Sequence, residues 1–311
     1  MHNIIFKHNI NRYLDDNNKI VFEPQIEFSF VPKKSQRFTI SYTENIGLIS
    51  AKDLISGMLV SDYNNYTSGS NVENIYSVKH RISSLFVIVN QFRNIQFVAN
   101  ISYEIIKNST TKDYYRTGMT NKTKTVSTPQ RHTLFFISSF SKKFLFAPIN
   151  MKLDINYQQN KYSYLIAGNE IKYQNYSPSL NIELGSSYKQ GFNGAVYANF
   201  LHSYYKTTIL NKQYIQRYTG KISFTKNKFY TSTSIGYESN NVSKIMQHFY
   251  YWDANIRYSF NEKYELELIG NDILHLSDKR WQEISQIDNV MIESYVRRIS
   301  GYIILKFNIK I

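Results

Sequence analysis

The residues of this chain that could do chemistry are few and scattered. The sequence contains no Gly-x-Ser-x-Gly elbow, no phosphate-binding glycine loop and no His-Glu-x-x-His metal motif. Its seven histidines are dispersed, and His80 and His202 each alternate with apolar residues, which favours packed or membrane-edge positions. The absence of cysteine excludes disulfides and thiolate metal ligands. We therefore predict that the protein is not an enzyme and has no catalytic residue, metal site or cofactor.

Aromatic residues in polar segments are better candidates for binding. The chain contains 27 tyrosines, 20 phenylalanines and 2 tryptophans. Exposed aromatic rings can bind glycans or peptides, although tyrosine and tryptophan also anchor proteins at a membrane interface or pack between loops. The predicted substrate-binding residues are Tyr63, Tyr66, Tyr114, Tyr115 and Trp281.

Alternation of apolar and polar residues is the strongest pattern in the chain. In residues 149–158 every odd position is apolar and every even position is polar. Residues 252–259 repeat the pattern, and residues 95–104 follow it with one exception, at Val98. Because successive side chains of a β-strand point to opposite faces, each segment predicts a strand with one apolar and one polar face.

The predicted strands are long. Most contain ten or more residues, whereas strands of soluble proteins usually have about 5–6 and a tilted strand needs roughly 9–11 to cross a bilayer. The predicted strands are 20–31, 36–45, 75–90, 95–107, 131–141, 149–158, 177–188, 194–205, 214–225, 229–239, 249–259, 264–273 and 294–309, with a further candidate at 3–8.

The connections between these strands alternate between short and long. The short ones are 32–35, 91–94, 142–148, 189–193, 225–228 and 260–263, and the long ones are 46–74, 108–130, 159–176, 206–213, 240–248 and 274–293. Successive connections of an up-and-down sheet lie at opposite ends, so all long loops fall at one end. The sequence therefore predicts an all-β fold: a partial, antiparallel up-and-down transmembrane β-barrel of about 13–14 strands, with short periplasmic turns and long extracellular loops.

Composition restricts the alternatives. Mean hydropathy is −0.41, and no run approaches the roughly 18 apolar residues of a membrane helix. The net charge is +14, but lysine and arginine are scattered without a block of five like charges, which argues against nucleic-acid binding. The N-terminus lacks a signal-peptide core. Taken literally this indicates a cytoplasmic protein, and the alternative is a chain that begins inside a longer protein.

Several segments resemble a known family. Residues 37–46 read Arg-Phe-Thr-Ile-Ser-Tyr-Thr-Glu-Asn-Ile, and after a long loop residues 68–76 read Ser-Gly-Ser-Asn-Val-Glu-Asn-Ile-Tyr. Residues 251–274 form a hairpin pattern ending in Gly-Asn-Asp-Ile-Leu. Together they resemble the outer-membrane β-barrel of Bacteroidetes TonB-dependent receptors. One departure is that Asn-Ile-Lys-Ile follows the last aromatic residue, Phe307, whereas such barrels usually end on an aromatic residue.

The resemblance implies a function. Residues 1–311 would form the C-terminal part of the barrel, without the signal peptide, energy-coupling box or plug domain. The intact receptor would import a bulky nutrient across the cell outer membrane. The implied partners are outer-membrane lipid or lipopolysaccharide, the remainder of the receptor (its plug and missing strands) and a surface lipoprotein, with no nucleic acid among them.

Two other functions fit the same pattern. Fourteen strands could close as an autonomous outer-membrane channel, because bacterial barrels have even strand numbers. Alternatively, the chain could be a secreted β-rich binding module, such as an adhesin, whose apolar faces pack on one another.

The barrel hypothesis also predicts which side chains face lipid. On strand 249–259 these are Trp252, Ala254, Ile256 and Tyr258, whereas Asp253, Asn255 and Arg257 face the lumen. On the last strand the predicted lipid-facing residues are Ile299, Gly301, Ile303, Leu305 and Phe307. We interpret Lys152, Asp154, Asn156, Glu265 and Glu267 as lining a wet or plug-facing lumen.

Overall fold

The protein is described by a computed structural model made almost entirely of β-strands. The structure describes residues 2–12, 20–49, 57–60, 64–72, 76–144, 146–186, 188–206, 210–242, 245–273, 280–287, 290–297 and 301–309. No helix in these ranges is long and apolar enough to cross a bilayer.

Eighteen strands are present in the described ranges. They are β1 (His2–Arg12), β2 (Ile20–Lys33), β3 (Gln36–Leu48), β4 (Met58–Val60), β5 (Asn65–Asn71), β6 (Tyr76–Asn90), β7 (Ile95–Thr117), β8 (Thr120–Lys143), β9 (Ile149–Ile166), β10 (Asn169–Ser186), β11 (Gly191–Lys206), β12 (Leu210–Lys226), β13 (Phe229–Val242), β14 (Ile245–Ser259), β15 (Tyr264–Asn271), β16 (Arg280–Ile287), β17 (Val290–Arg297) and β18 (Tyr302–Ile309).

The main sheet confirms the predicted up-and-down topology. Its strand order is β1-β2-β3-β6-β7-β8-β9-β10-β11-β12-β13-β14-β15-β18, with antiparallel neighbours throughout. The strands β4 and β5 attach to its side, and β16 and β17 form a separate two-stranded sheet. The main sheet is open, with β1 and β18 at its edges. The fold is therefore a partial antiparallel barrel.

The two ends of the sheet differ as the connections predicted. The connections predicted to be short, such as Asn227 with Lys228 between β12 and β13, all lie at one end, which we call the lower edge. Toward the opposite end, which we call the upper edge, some strands extend further: β7 has 23 residues and β8 has 24. Because about 9–11 residues cross a bilayer, both strands extend well beyond that length.

Two predicted long loops are in fact strands. Residues 108–130 continue β7 and β8 up to a turn at Gly118, where φ is +61°. Residues 159–176 continue β9 and β10 up to Ala167 and Gly168, whose φ angles are +50° and +81°, as in a type I′ hairpin turn. The prediction failed because Thr, Lys, Ser and Tyr occupy both faces there, so the apolar alternation disappears while the backbone pairing continues.

Other predicted boundaries also change. Loop 46–74 contains β4 and β5, whereas loops 206–213 and 240–248 shorten because β12 begins at Leu210 and β13 extends to Val242. Loop 274–293 holds β16, and the predicted strand 294–309 divides into the end of β17 and β18. Local alternation continues across both pieces and did not reveal the break between them.

The polarity of the molecule is inverted relative to a soluble protein. Among the described residues none of the buried side chains is hydrophobic, and the buried residues are polar, including Ser102, Thr125 and Asn240 at 1% exposure each. Large apolar side chains are instead exposed, such as Val196 at 60% and Ile235 at 62%. A water-soluble sandwich would bury such residues between its sheets. The sheet therefore presents its apolar side chains outward.

The strand register confirms the predicted division into two faces. Ile256 lies opposite Leu268, which lies opposite Leu305, so these residues share the apolar face. Asn255 and Arg257 share the polar face with Ile269 and Glu267, respectively. Trp252 lies opposite Ile235 on the apolar face. Gly301, Ile303 and Phe307 lie in the described part of the chain, whereas Ile299 lies outside it.

Hydrogen bonds along the polar face use the predicted lumen residues. Ser139 Oγ donates to Asp154 Oδ1 at 2.6 Å, and Asn255 Nδ2 donates to Glu267 Oε1 at 2.7 Å. Glu265 accepts from Ser259 and lies 3.8 Å from the Arg257 guanidinium. The carboxylates of Glu265 and Glu267 are thus engaged with neighbouring polar groups.

Candidate functional site

The predicted binding residues occupy three different places. Tyr66 lies on β5, and both Tyr114 and Tyr115 lie on the upper part of β7. Tyr63 lies outside the described residues. The backbone of Trp281 lies on β16 opposite Val296, and its side chain is outside the described part of the chain. Their role in binding remains a prediction.

The upper part of the β7–β8 hairpin changes its neighbours. In the body of the sheet β8 pairs with β9, for example Asn156 with Ile137. Above Asn108, where φ is +52°, β7 pairs with β9 and β8 pairs with β5. In the body of the sheet β8 lies between β7 and β9, whereas in the upper hairpin β7 lies next to β9. The two strands of the hairpin have therefore exchanged places at the upper edge. Residues 109–128 of this hairpin, together with β4, β5 and residues 159–176, form what we call the upper extension.

Register pairing within the upper extension separates the predicted tyrosines. Tyr66 lies opposite Lys122, which lies opposite Tyr115, so Tyr66 and Tyr115 share one face. Tyr114 lies opposite Ile166 and is on the other face, where its ring meets Tyr164 edge-on at a centroid distance of 6.5 Å. The structure thus brings Tyr66 and Tyr115 to one surface and Tyr114 to another.

Asp113 attaches the upper hairpin to the turn between β9 and β10. Asp113 is 3% exposed, and its carboxylate accepts hydrogen bonds from Tyr115 Oη at 2.6 Å and from the Gly168 backbone N–H at 3.2 Å. The Ala167 N–H also donates to the Tyr114 carbonyl at 2.9 Å. The hydrogen bond to Asp113, followed by burial, raises the pKa of Tyr115. These bonds fix the hairpin against its neighbour.

We predict that Asp113→Ala releases this hairpin without unfolding the sheet. Hydrogen bonds to a charged group contribute roughly 1.5–3 kcal/mol each, and here only local contacts depend on them. Limited trypsin digestion should cleave after Arg116 at least about tenfold faster in the variant. Tyr115→Phe, which removes one of the two bonds, should give a smaller increase. Equal cleavage of Asp113→Ala and the unsubstituted chain would contradict this assignment.

A cluster of five tyrosines lies beside the hairpin. The ring centroids of Tyr162 and Tyr173 are 4.7 Å apart, and those of Tyr173 and Tyr205 are 6.3 Å apart. Tyr164 and Tyr114 continue the cluster toward the hairpin. The Arg131 guanidinium lies over the Tyr162 ring at 5.4 Å. Tyr162 and Tyr173 are directly opposite each other on the polar face, so the cluster lies above the predicted lumen.

The tyrosine cluster offers aromatic faces and hydroxyl groups for binding. Burial raises the pKa of Tyr173, with neighbouring tyrosines as a second cause, and burial raises the pKa of Tyr162 against the opposing effect of Arg131. Both hydroxyl groups therefore stay protonated at neutral pH and can donate hydrogen bonds. The described residues contain no group of three potential metal ligands. Stacked rings, hydroxyl donors and one cation fit a ligand with planar or apolar surfaces and acceptor atoms.

Sequence reasoning missed most of this cluster. Tyr162, Tyr164 and Tyr173 fall in the segment interpreted as loop 159–176, and Tyr205 and Arg131 were placed at strand ends. A signal was present, because Lys161-Tyr-Ser-Tyr still alternates with a period of two, with tyrosine at the even positions that are polar in residues 149–158. Extending the strand by its period of two, even where the odd positions are no longer apolar, would have placed Tyr162 and Tyr164 on the polar face.

The fold defines the class of the protein as an antiparallel up-and-down β-barrel, present as an open part of a barrel. The structure matches the FrpB iron transporter of Neisseria meningitidis with a TM-score of 0.55 and 8% identity over 80% of this chain and 43% of that protein. At this identity the match shows the fold alone.

Two further solved structures match less closely. The ferric yersiniabactin uptake receptor FyuA of Yersinia pestis has a TM-score of 0.46 and 10% identity over 91% of this chain and 47% of that one. The toluene transporter TodX of Pseudomonas putida has a TM-score of 0.29 and 9% identity over 87% of this chain and 81% of that one. The chain thus spans less than half the length of FrpB and FyuA. No protein-family model and no curated protein sequence matches it.

Proposed function

We propose that this chain forms part of the wall of a TonB-dependent nutrient receptor in the outer membrane, of the Bacteroidetes type that the sequence resembles. The observation that carries the proposal is the inverted polarity of an antiparallel sheet that has exposed Ile235 and Val196 and no buried hydrophobic side chain among its described residues. Lipid is the solvent that accommodates such a surface. Transport chemistry then requires binding surfaces rather than catalytic groups.

The open edges support a wall that is part of a larger barrel. The outer edges of β1 and β18 present backbone N–H and C=O groups without a neighbouring strand in the described sheet. Such groups cost several kcal/mol each in hydrocarbon unless they are paired. The proposed remainder of the receptor would supply further strands at both edges and a plug over the polar face. A surface lipoprotein above the upper extension is a further proposed partner.

In this proposal the tyrosine cluster contacts the substrate first. It lies at the upper edge, above the polar face, and the upper hairpin covers the adjoining turn through Asp113. Tyr66 and Tyr115 would present a second aromatic surface on the other side of the extension. A glycan, a peptide or a metal chelate can each bind stacked rings and hydroxyl donors. Binding measurements with the three types of ligand would distinguish between these substrate classes.

Cysteine labelling in intact cells tests the location and orientation. The chain is free of cysteine, and Met119, at the tip of the upper hairpin, is 83% exposed, whereas Phe92, in a lower-edge turn, is 93% exposed. With the chain expressed in a bacterium with an outer membrane, a membrane-impermeant maleimide should label Met119→Cys and spare Phe92→Cys until the cells are broken. Labelling of both in intact cells, or of neither, would overturn the proposal.

An autonomous channel is the second candidate, because the main sheet has an even set of fourteen strands. It requires β1 and β18 to pair. Refolded protein in a planar bilayer should then give stepwise single-channel currents, whereas a part of a larger barrel should give none. Cross-linking of Cys residues introduced at Asn3 and Asn308 would indicate closure between the two edge strands.

A further inference from the structure

Each histidine whose side chain the structure describes lies on the apolar face beside a tyrosine. Tyr103 Oη and His132 Nδ1 are 2.8 Å apart, Tyr42 Oη and His80 Nδ1 are 3.0 Å apart, and Tyr237 Oη and His248 Nδ1 are 2.6 Å apart. The His202 ring meets the Tyr214 ring at a centroid distance of 4.6 Å. These four histidines and their tyrosines form what we call the His–Tyr belt.

The His–Tyr belt has a uniform height. His80 lies ten residues from the lower end of β6, and His132, His202 and His248 each lie eleven residues from the lower ends of β8, β11 and β14. Ten residues of a strand tilted by about 40° rise roughly 25 Å, which equals the height of the apolar band of a membrane barrel. The belt therefore lies at the upper boundary of the hydrocarbon, where headgroups begin.

Three lysines surround one member of this belt. His132 lies opposite Lys161 on one side and opposite Ile105 on the other. Lys107 follows Ile105 by two residues, and Lys172 lies opposite Ser163, two residues beyond Lys161. Residues directly opposite each other have Cβ atoms about 5 Å apart, and diagonal neighbours about 7–8 Å. All four side chains thus share the apolar face on four neighbouring strands, β7 to β10, and we call them the basic cluster.

The basic cluster is not neutralised by neighbouring carboxylates. Lys107, Lys161 and Lys172 are exposed and have no ion-pair partner among the described residues. Three carboxylates lie on this face around the cluster. Glu170 lies beyond Lys172, Asp113 already binds Tyr115 and Gly168, and Glu44 already contacts Tyr42 and His80. Below His132 the face is apolar, with Leu134, Phe136 and Phe140. A concentrated positive charge directly above an apolar surface is complementary to phosphate groups at a lipid interface.

We propose that Lys107, His132, Lys161 and Lys172 form a binding site for the phosphate groups of an outer-leaflet lipid, whose acyl chains lie along the apolar face below. The three ammonium groups contact the phosphates, and Tyr103 orients the His132 ring at the boundary. The inference rests on the proposed function, because it requires the apolar face to lie in a membrane with its upper edge outward. The proposed function requires only that the apolar face contacts lipid, and the inference adds one specific lipid-binding site to that face.

Native mass spectrometry of the full chain in detergent tests the site with diphosphorylated lipid A as the probe. Lys107→Gln, Lys161→Gln and Lys172→Gln combined should reduce its affinity by about tenfold or more, because each lysine near an anionic lipid contributes roughly a fivefold factor. The matched control replaces Lys34, Lys189 and Lys263, exposed residues of the lower turns, with glutamine. This control loses the same charge and should keep the affinity of the unsubstituted chain.

Three outcomes would overturn the site. They are an equal loss of affinity in both triple variants, equal binding of dephosphorylated lipid A, and complete displacement of the lipid by inorganic phosphate, which would make the ligand a free anion. Protease protection in phosphatidylcholine vesicles separates this result from the proposed function. A chain that binds the vesicles through its apolar face but shows one of these outcomes overturns the site alone, whereas a chain that does not associate with the vesicles overturns both.

Discussion

Ile235→Arg is expected to prevent stable insertion of the sheet into lipid. Ile235 is 62% exposed on the apolar face, opposite Gly220 on β12 and Trp252 on β14, in the middle of the predicted membrane band. An arginine on the lipid face near the bilayer midplane costs about 2–4 kcal/mol. The inserted fraction should therefore fall by roughly thirtyfold or more, because each 1.4 kcal/mol corresponds to about a tenfold change.

The neighbouring residue provides a matched control. Ser234 lies on the polar face opposite Lys221 and Asp253, so Ser234→Arg adds the same charge beside a carboxylate and should insert normally. Insertion can be measured by protease protection in phosphatidylcholine vesicles. Equal insertion of the two arginine variants would show that the apolar face does not meet lipid and would favour the secreted binding module.

Arg217→Leu is expected to destabilise the wall strongly by leaving a buried carboxylate. Arg217 Nε donates to Glu238 Oε2 at 2.9 Å between β12 and β13, and the Glu238 side chain is only 8% exposed. Removing one partner of a buried ion pair typically costs about 3–5 kcal/mol. Because the Arg217 side chain is 47% exposed, solvent screening reduces the expected loss to roughly 2–3 kcal/mol.

A second substitution distinguishes charge from packing in this pair. Glu238→Gln removes the unpaired charge, so the Arg217→Leu/Glu238→Gln double variant should recover most of the lost stability. Urea unfolding of the chain in detergent gives all four free energies of the cycle. If the double variant were as unstable as the sum of the single variants, the pair would not interact and the loss would come from packing alone.

The strand order and the two faces were predictable from the sequence because both follow from a period of two. Trp252, Ala254 and Ile256 alternate with Asp253 and Asn255, and the register places them on opposite faces. The lengths of the connections then determine which ends of the strands lie together. Within the proposed membrane band each face of the sheet has one uniform environment, so the alternation of apolar and polar residues indicates the strands and their two faces.

The upper extension could not be predicted in the same way. Above the proposed membrane band both faces of a strand meet water or polar neighbours, so the segments around Tyr162 and Thr123 show no apolar alternation. The exchange of β7 and β8 at Asn108 depends on pairing with β5 and β9, which are distant in sequence. Asp113 looks like an ordinary exposed loop carboxylate in the sequence, and only the folded chain brings it to Gly168.

The sequence by itself determined that this protein is an up-and-down sheet with one apolar face, because alternation and connection length are local properties of the chain. Only the tertiary structure decided which residues meet at the upper edge. The tyrosine cluster combines side chains from β7, β9, β10 and β11, and the basic cluster combines side chains from β7, β8, β9 and β10. Contacts of this kind depend on the register between strands. Alternation does not determine the register, because a shift by an even number of residues keeps every side chain on the same face.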